Sequence, residues 1–307
     1  MSKPLVSVLL TSYNHERWLR ECVESALSQT YEQVEIIAVD DGSTDASREI
    51  LRSYEPQIRL YVNERNLGTY GSLNKAMEMA EGEYCAVLNS DDKWAPTKLE
   101  RQLDEMRLHP NHSFCHTFGA FIDDDGNRIS GEPMGFPFPR MESGQHLTTF
   151  IANNTAIASS VLFRRDLARD LGGFNENLKI LGDWDMWLRL AEKGTVGFVD
   201  EELTYYRVHG TNTIYQLEPK YREEVFIREA WTSRAEELIA HAPDPAAMKR
   251  ALAHSFACLG SLYSILGEPG RARRAYLRSL RLNPLRLKSL LRIGVTWLPL
   301  SLRRKLL

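Results

Sequence analysis

An α/β fold with a mostly parallel sheet flanked by helices, followed by a helical C-terminal region, is predicted by three observations. Apolar runs suited to buried strands alternate with amphipathic segments through the first hundred residues. Short polar, acid-rich stretches sit where those apolar runs end. Beyond Tyr215 the pattern is helical throughout. The elements follow in order. Leu5–Thr11 is a continuous apolar run, as a strand buried on both faces requires. Trp18/Leu19, Cys22/Val23 and Ala26/Leu27 recur at helical spacing and predict a helix over His15–Gln29, with Asn14 as its cap. Val34–Val39 is the second strand, and Ala46, Ile50, Leu51 and Tyr54 mark the second helix. Ile58–Val62, a helix around Ser72–Ala80 and the strand Glu83–Leu88 follow, and Pro96 opens the next helix. Further on, Ser113–Ile122 and Ile157–Phe163 read as strands, and Asp124–Asn127 as a turn. A Gly172-Gly173 break precedes a helix from Asp183 to Glu192, and the Gly- and Pro-rich stretch 131–145 reads as a loop over the functional face.

The chain has 307 residues, 43% hydrophobic and 26% charged, the balance of an ordinary globular protein. No apolar run approaches the roughly 18 residues that span a bilayer. The N-terminal run lacks a small-residue cleavage site and reads as a first strand, not a leader. Four cysteines without CxxC spacing predict free thiols in a reducing compartment, hence a cytoplasmic protein. The net charge of −3 hides a division. Residues 271–307 carry eleven Lys or Arg and no acid, so the tail is +11 and the rest −14. That asymmetry gives the tail its own partner, most simply an anionic surface.

In an open parallel sheet, ligands gather at the carboxyl ends of the strands. Here those ends read Thr11-Ser12-Tyr13-Asn14, Asp40-Asp41-Gly42-Ser43-Thr44-Asp45 and Asn89-Ser90-Asp91-Asp92. Any one could cap a helix, but three on one edge point to a ligand site. Adjacent carboxylates call for a cation that prefers oxygen ligands, Mg²⁺ or Mn²⁺, which also takes phosphate oxygens. The first strand–helix turn has no glycine, which excludes a dinucleotide fingerprint, and no Walker motif is present.

Over residues 4–214 the chain resembles family 2 glycosyltransferases of the Rossmann-like GT-A fold. The segments VSVLLTSYN, VDDGSTD, NLGTYGSLNKAMEMAEGEYCAVLNSDD and LGDWDMWLRLAEKG carry the likeness by their order and spacing. TSYN, the MAEGEY run and the Gly-Asp start of the last segment also make it similar to the spore-coat glycosyltransferases. The resemblance implies an inverting, metal-dependent transfer of a sugar from a nucleoside-diphosphate donor, UDP favoured, to a glycan or lipid-linked hydroxyl. Thr11, Tyr13, Asp40 and Asp41 would bind the nucleoside, with Asp41 accepting from the base. Asp91 would meet the ribose or the metal, Asp92 would be the principal metal ligand, His209 a further one, and Asp183 the catalytic base. Relatives often have Asp-Ser-Asp-Asp and Glu-Asp where this chain has Asn89-Ser90-Asp91-Asp92 and Gly182-Asp183. The alternative is a catalytically degenerate sugar-nucleotide-binding or scaffold protein. Trp184 and Trp187 are candidates for sugar-stacking faces or for core.

A glycosyltransferase domain at 1–214 and a helical region at 215–307 are therefore expected. Within the latter, residues 250–284 resemble one tetratricopeptide-type hairpin by LGSLY, Gly267, Ala275 and Leu-Asn-Pro. Residues 285–307 interleave apolar and basic side chains around Pro299, as suits an anionic membrane interface. No nucleic-acid motif accompanies the basic charge.

Overall fold

The eight strands are β1 (Val6–Ser12), β2 (Val34–Asp40), β3 (Arg59–Val62), β4 (Tyr84–Asn89), β5 (Lys93–Trp94), β6 (His112–Ile122), β7 (Leu162–Arg164) and β8 (Thr195–Arg207). They form one sheet in the order β3-β2-β1-β4-β7-β6-β8-β5. The computed structural model describes residues 3–144 and 146–306, and every statement below concerns those residues. β3, β2, β1 and β4 run parallel. β7 is antiparallel to both β4 and β6, and β6 pairs parallel with β8. The sheet is therefore mixed, with its parallel half built from the first four long strands.

The alternation of the first half arises from burial. All seven residues of β1 are buried, since helices cover both faces of a central parallel strand. The helices here are α1 (Leu19–Leu27), α2 (Ser47–Arg52), α3 (Thr69–Met79) and α4 (Lys98–Leu108). α1 buries Leu19, Cys22, Val23 and Ala26, one stripe of a 3.6-residue period. Its first expected turn, residues 15–18, is not helical. The N–H groups of Asn14, His15 and Glu16 donate to Ser43 Oγ, Ser47 Oγ and Asp45 Oδ2, and Asn14 sits at φ 54°. The loop after β2 thus holds the loop after β1 out of the helix.

Two further differences have local causes. The strand expected over Ile157–Phe163 is a 3₁₀ turn at Ala158–Ser160, and only Leu162–Arg164 pairs. The Ser160 hydroxyl donates to Ile157 O, closing that turn. β8 has no counterpart in the sequence expectation. Its pairing with β6 passes from Thr117↔Val199 through Phe118↔Glu202 to Gly119↔Thr204, and this bulge breaks the two-residue alternation that marks a strand.

The helices α5 (Leu147–Ala152), α6 (Arg165–Asp170) and α7 (Gly182–Lys193) complete the middle of the chain. Two compact units result. One contains Met1–His146 with Thr155–Asn212, the other Leu147–Asn154 with Thr213–Leu307. The second unit is helical, comprising α5, α8 (Leu217–Ser233), α9 (Ala235–His241), α10 (Pro245–Ile265), α11 (Pro269–Leu282), α12 (Leu287–Val295) and α13 (Leu300–Leu306). α10 and α11 pack against one another as consecutive helices. Gly260 lets the Tyr276 ring lie against α10, where an added Cβ would stand 2.5 Å from that ring. α12 and α13 flank Pro299, and no helix is long and apolar enough to cross a membrane. The four cysteines are free thiols, three of them buried.

Candidate active site at the strand ends

Register brings the three polar strand ends together. Ser12 lies opposite Asp40, and Thr11 opposite Asn89, so the segments after β1, β2 and β4 leave the sheet side by side. Asp40 is fully buried. Its Oδ1 accepts from Ser43 N–H at 3.1 Å and faces the Arg48 guanidinium at 3.5 Å. Asp41 Oδ1 accepts from Asn63 Nδ2 and Leu67 N–H, and Oδ2 from Gly68 N–H, all at 2.8 Å. Asp41 therefore fastens the segment after β3 to the end of β2. Thr11 is buried and Tyr13 is 45% exposed, so of the two only Tyr13 presents a broad accessible face.

At the end of β4 the two acids separate. Asp91 Oδ2 lies 3.1 Å from His209 Nε2, while His209 Nδ1 pairs with Thr211 Oγ1 at 2.8 Å. His15 joins them, with its Nδ1 held 2.8 Å from Ser90 Oγ. His15, Asp91 and His209 each offer a ligand atom within 4.8 Å of the others. Trp18 stacks on His209, with ring centres 4.3 Å apart. Burial opposes the Asp91 charge, but the His209 hydrogen bond and the two imidazoles outweigh it and hold its carboxyl below the usual range. Burial also pushes His15 below its ordinary value, against the pull of Asp91 and with help from His209.

Asp92 has a different environment. It is 1% exposed, its Oδ1 accepts from Arg207 N–H at 2.9 Å, and its Oδ2 is met by the Ser159 hydroxyl. Burial, and then the neighbouring Asp91 charge, drive its carboxyl well above the usual range. Asp92 was expected as the principal metal ligand, but it stands outside the trio that His15, Asp91 and His209 form. Arg207, at the end of β8, also donates from its buried guanidinium to the carbonyls of Asp91, Asp123 and Asp124 and pairs with Glu21. The strand missing from the sequence expectation thus supplies the clamp that holds the corner carrying Asp91 and Asp92. His15, Trp18, Ser159 and Arg207 also escape the sequence reading. Only His15, directly after Thr11-Ser12-Tyr13-Asn14, carries a local signal.

Asp183 opens α7, where the helix dipole favours a carboxylate. Its Oδ1 accepts from Trp184 N–H at 2.7 Å, and Tyr70 Oη stands 3.5 Å away. An added Cβ at Gly182 would come within 2.7 Å of the Tyr70 ring, so the Gly-Asp start of this helix matches the aromatic that packs on it. Asp185 is committed elsewhere, paired at 2.7 Å with Arg189, which also binds Leu171 O and Gly173 O. Trp184 and Trp187 are both buried. Trp187 packs among Phe114, Phe163 and Phe174, which makes it core rather than a sugar platform.

Comparison with known proteins bears on this arrangement. The chain is 34% identical over 217 residues to chondroitin synthase of Escherichia coli, a match covering 68% of this chain and 30% of that protein. It is 34% identical over 213 residues to the putative teichuronic acid biosynthesis glycosyltransferase TuaG of Bacillus subtilis, covering 67% of this chain and 80% of TuaG. Its fold superimposes on S. aureus TarS 1-349 in complex with UDP-GlcNAc at a TM-score of 0.68 and 20% identity, covering 98% of this chain and 89% of that one. Residues 7–172 match the family model of glycosyl transferase family 2. With the GT-A architecture and the acid-bearing strand ends in the family's order, the chain belongs to glycosyl transferase family 2.

Proposed function

We propose that this chain transfers a sugar from a nucleoside-diphosphate donor, UDP-linked in the first instance, to a hydroxyl of a cell-surface glycan or lipid-linked acceptor, with inversion at the anomeric carbon. The observation that carries the reading is the convergence of Asp91, His209 and His15 beside the ends of β1 and β2. Family membership and the UDP-GlcNAc complex of TarS support the donor class.

The residues present fit a divalent cation. A carboxylate and two imidazoles, whose ligand atoms lie within 4.8 Å of one another, suit Mn²⁺ better than Mg²⁺, which prefers an all-oxygen shell. Asp91 and His209 would hold it with His15, and Asp92 would brace Asp91 from behind. When bound, the cation neutralises charge on the diphosphate leaving group. Tyr13 offers its exposed ring to the base, and Thr11 lines the same strand end. Asp41 Oδ2, with one donor at 2.8 Å, keeps a lone pair for a base N–H. Asp40 acts through Ser43 and Arg48 to shape that loop. Asp183 takes the proton of the attacking hydroxyl. One base suffices, because a nucleoside diphosphate leaves without general-acid help.

A panel of nucleotide sugars with Mn²⁺, scored by release of nucleoside diphosphate, tests the reading. Asp183→Asn is expected to lose turnover by about 10²–10⁴ with donor affinity kept, since the amide retains the shape but cannot take a proton. Asp185→Asn, measured per folded molecule, should lose far less. Near-normal turnover of Asp183→Asn at saturating acceptor removes it as the base. Donor binding without any release points instead to a sugar-nucleotide-binding scaffold.

The tail extends the proposal to a membrane surface. Leu285, Leu290, Leu291 and Trp297 are exposed, the last two at 72% and 75%, among basic residues free of any acid. Such a face suits an anionic interface, where each Lys or Arg contributes on the order of 1 kcal/mol. The full chain should co-sediment with anionic vesicles in a salt-sensitive manner. Leu291→Gln with Trp297→Gln should reduce the pelleted fraction several-fold, and a chain truncated at Pro284 that pellets as well as the parent rules out the tail as the anchor.

A further inference from the structure

We propose a second metal site, distinct from the strand-end trio, in which Glu105, His109 and His112 bind a divalent transition metal of the Zn²⁺ class. Glu105 lies in the last turn of α4, His109 follows that helix, and His112 begins β6. Their ligand atoms lie within 4.8 Å of one another, a set of two imidazoles and one carboxylate that suits zinc. With zinc–ligand bonds near 2.0–2.1 Å, the edges of a tetrahedral site are about 3.3 Å. His112 Nε2 to Glu105 Oε1 is already 3.2 Å, and His109 Nε2 to the same oxygen is 3.9 Å. Closing the longer of these two edges takes a shift of well under an ångström by a His109 side chain that is 53% exposed.

The surroundings prepare the site. Thr195 Oγ1 lies 2.6 Å from His112 Nδ1 and fixes the buried ring with Nε2 toward Glu105, as outer-shell partners of ligating histidines do. The Ser143 hydroxyl donates to Glu105 at 2.6 Å and orients the carboxylate. Gly197 leaves the space. A Cβ there would stand 2.8 Å from the His112 ring and 3.0 Å from the Glu105 side chain. Among the described residues no Lys or Arg forms an ion pair with Glu105, whose ion-pair partners are the imidazoles of His109 and His112. A bound metal would join α4, the start of β6, the start of β8 through Thr195, and the loop carrying Ser143. Water would take the fourth position.

Full-length protein stripped with EDTA and dialysed against Zn²⁺ tests this by stoichiometry. His109→Ala, a substitution at a half-exposed position, should bind one Zn²⁺ fewer per chain than the parent. Titration with Co²⁺ should give the intense visible absorption of a four-coordinate site in His209→Ala and lose it when His109→Ala is added to that variant. Thr195→Ala should weaken binding about 10–100-fold. Equal Zn²⁺ stoichiometry in the parent and His109→Ala overturns the site. That comparison decides the matter even if His209→Ala does not fold, and neither result bears on sugar transfer.

Discussion

The chain carries two adjacent acid pairs at neighbouring strand ends, Asp40-Asp41 after β2 and Asp91-Asp92 after β4, and they are used differently. In the first pair both carboxylates are tied to the protein, Asp40 by Ser43 and Arg48, and Asp41 by three donors from the segment after β3. In the second pair the work is divided. Asp91 faces imidazoles and is favoured as the anion, whereas Asp92 is sealed between Ser159 and Arg207 with its charge disfavoured. Two acids on consecutive residues are tolerated when the backbone sends one toward imidazoles and buries the other, its charge disfavoured, among donors.

The largest expected effect separates the members of the second pair. In Asp91→Asn, the Mn²⁺-dependent part of donor stabilisation should vanish from thermal melts. That part amounts to about 2.7 kcal/mol at a hundred times Kd in the parent. Asp92→Asn should keep Mn²⁺ binding within a few-fold. Its cost is in folding, about 1–3 kcal/mol, because one of its two oxygens becomes an amide that meets a donor. If Asp92→Asn loses the metal and Asp91→Asn keeps it, the division of labour is reversed.

The first pair gives a smaller, more structural response. Asp41→Asn replaces one acceptor of a three-donor carboxylate, so destabilisation of about 1–2 kcal/mol in urea melts should accompany weaker donor binding. Full stability with lost donor binding would make Asp41 a pure ligand group.

Lys98 sharpens the comparison from the opposite sign, as a buried charge with no acid beside it. It is fully buried, with Nζ 4.0 Å above the Trp94 ring and donating to Gln102, and burial pushes its ammonium down to about 7. The unfolded chain keeps that proton to about pH 10.4, so between the two values unfolding takes up a proton and stability rises with pH. Lys98→Met should therefore be stabilised most, relative to the parent, at or below pH 7. Its advantage should shrink by at most about 1.4 kcal/mol per pH unit up to pH 10. A pH-independent difference between the two melts would mean that Lys98 is not desolvated.

The parallel half of the sheet is legible because β1 is buried along its whole length and β2 from Ile36 onward, so both read as dominantly apolar runs. β8 is not, because the bulge at Glu202 disrupts its period while its partner β6 lies about eighty residues earlier. The same distance hid Arg207, whose importance comes from carbonyls at 91, 123 and 124 that no local pattern links. Asp91 and His209 follow from the family resemblance. Their pairing, and the addition of His15, depend on loops held by Ser43, Ser47 and Asp45 through bonds spanning about thirty residues.

The fit of Gly182 against Tyr70 has a consequence for how such a site can change over generations. With the aromatic ring 2.7 Å from where a Cβ would stand, position 182 accepts an acid only if the Tyr70 ring gives way. The ring must first shrink, and in shrinking it gives up the hydroxyl that donates to Ile180 O and stands beside Asp183. The route from this chain to one with paired acids at the start of α7 therefore has a compulsory order. Its intermediate has lost the old support and not yet acquired the new carboxylate, so the two positions constrain one another.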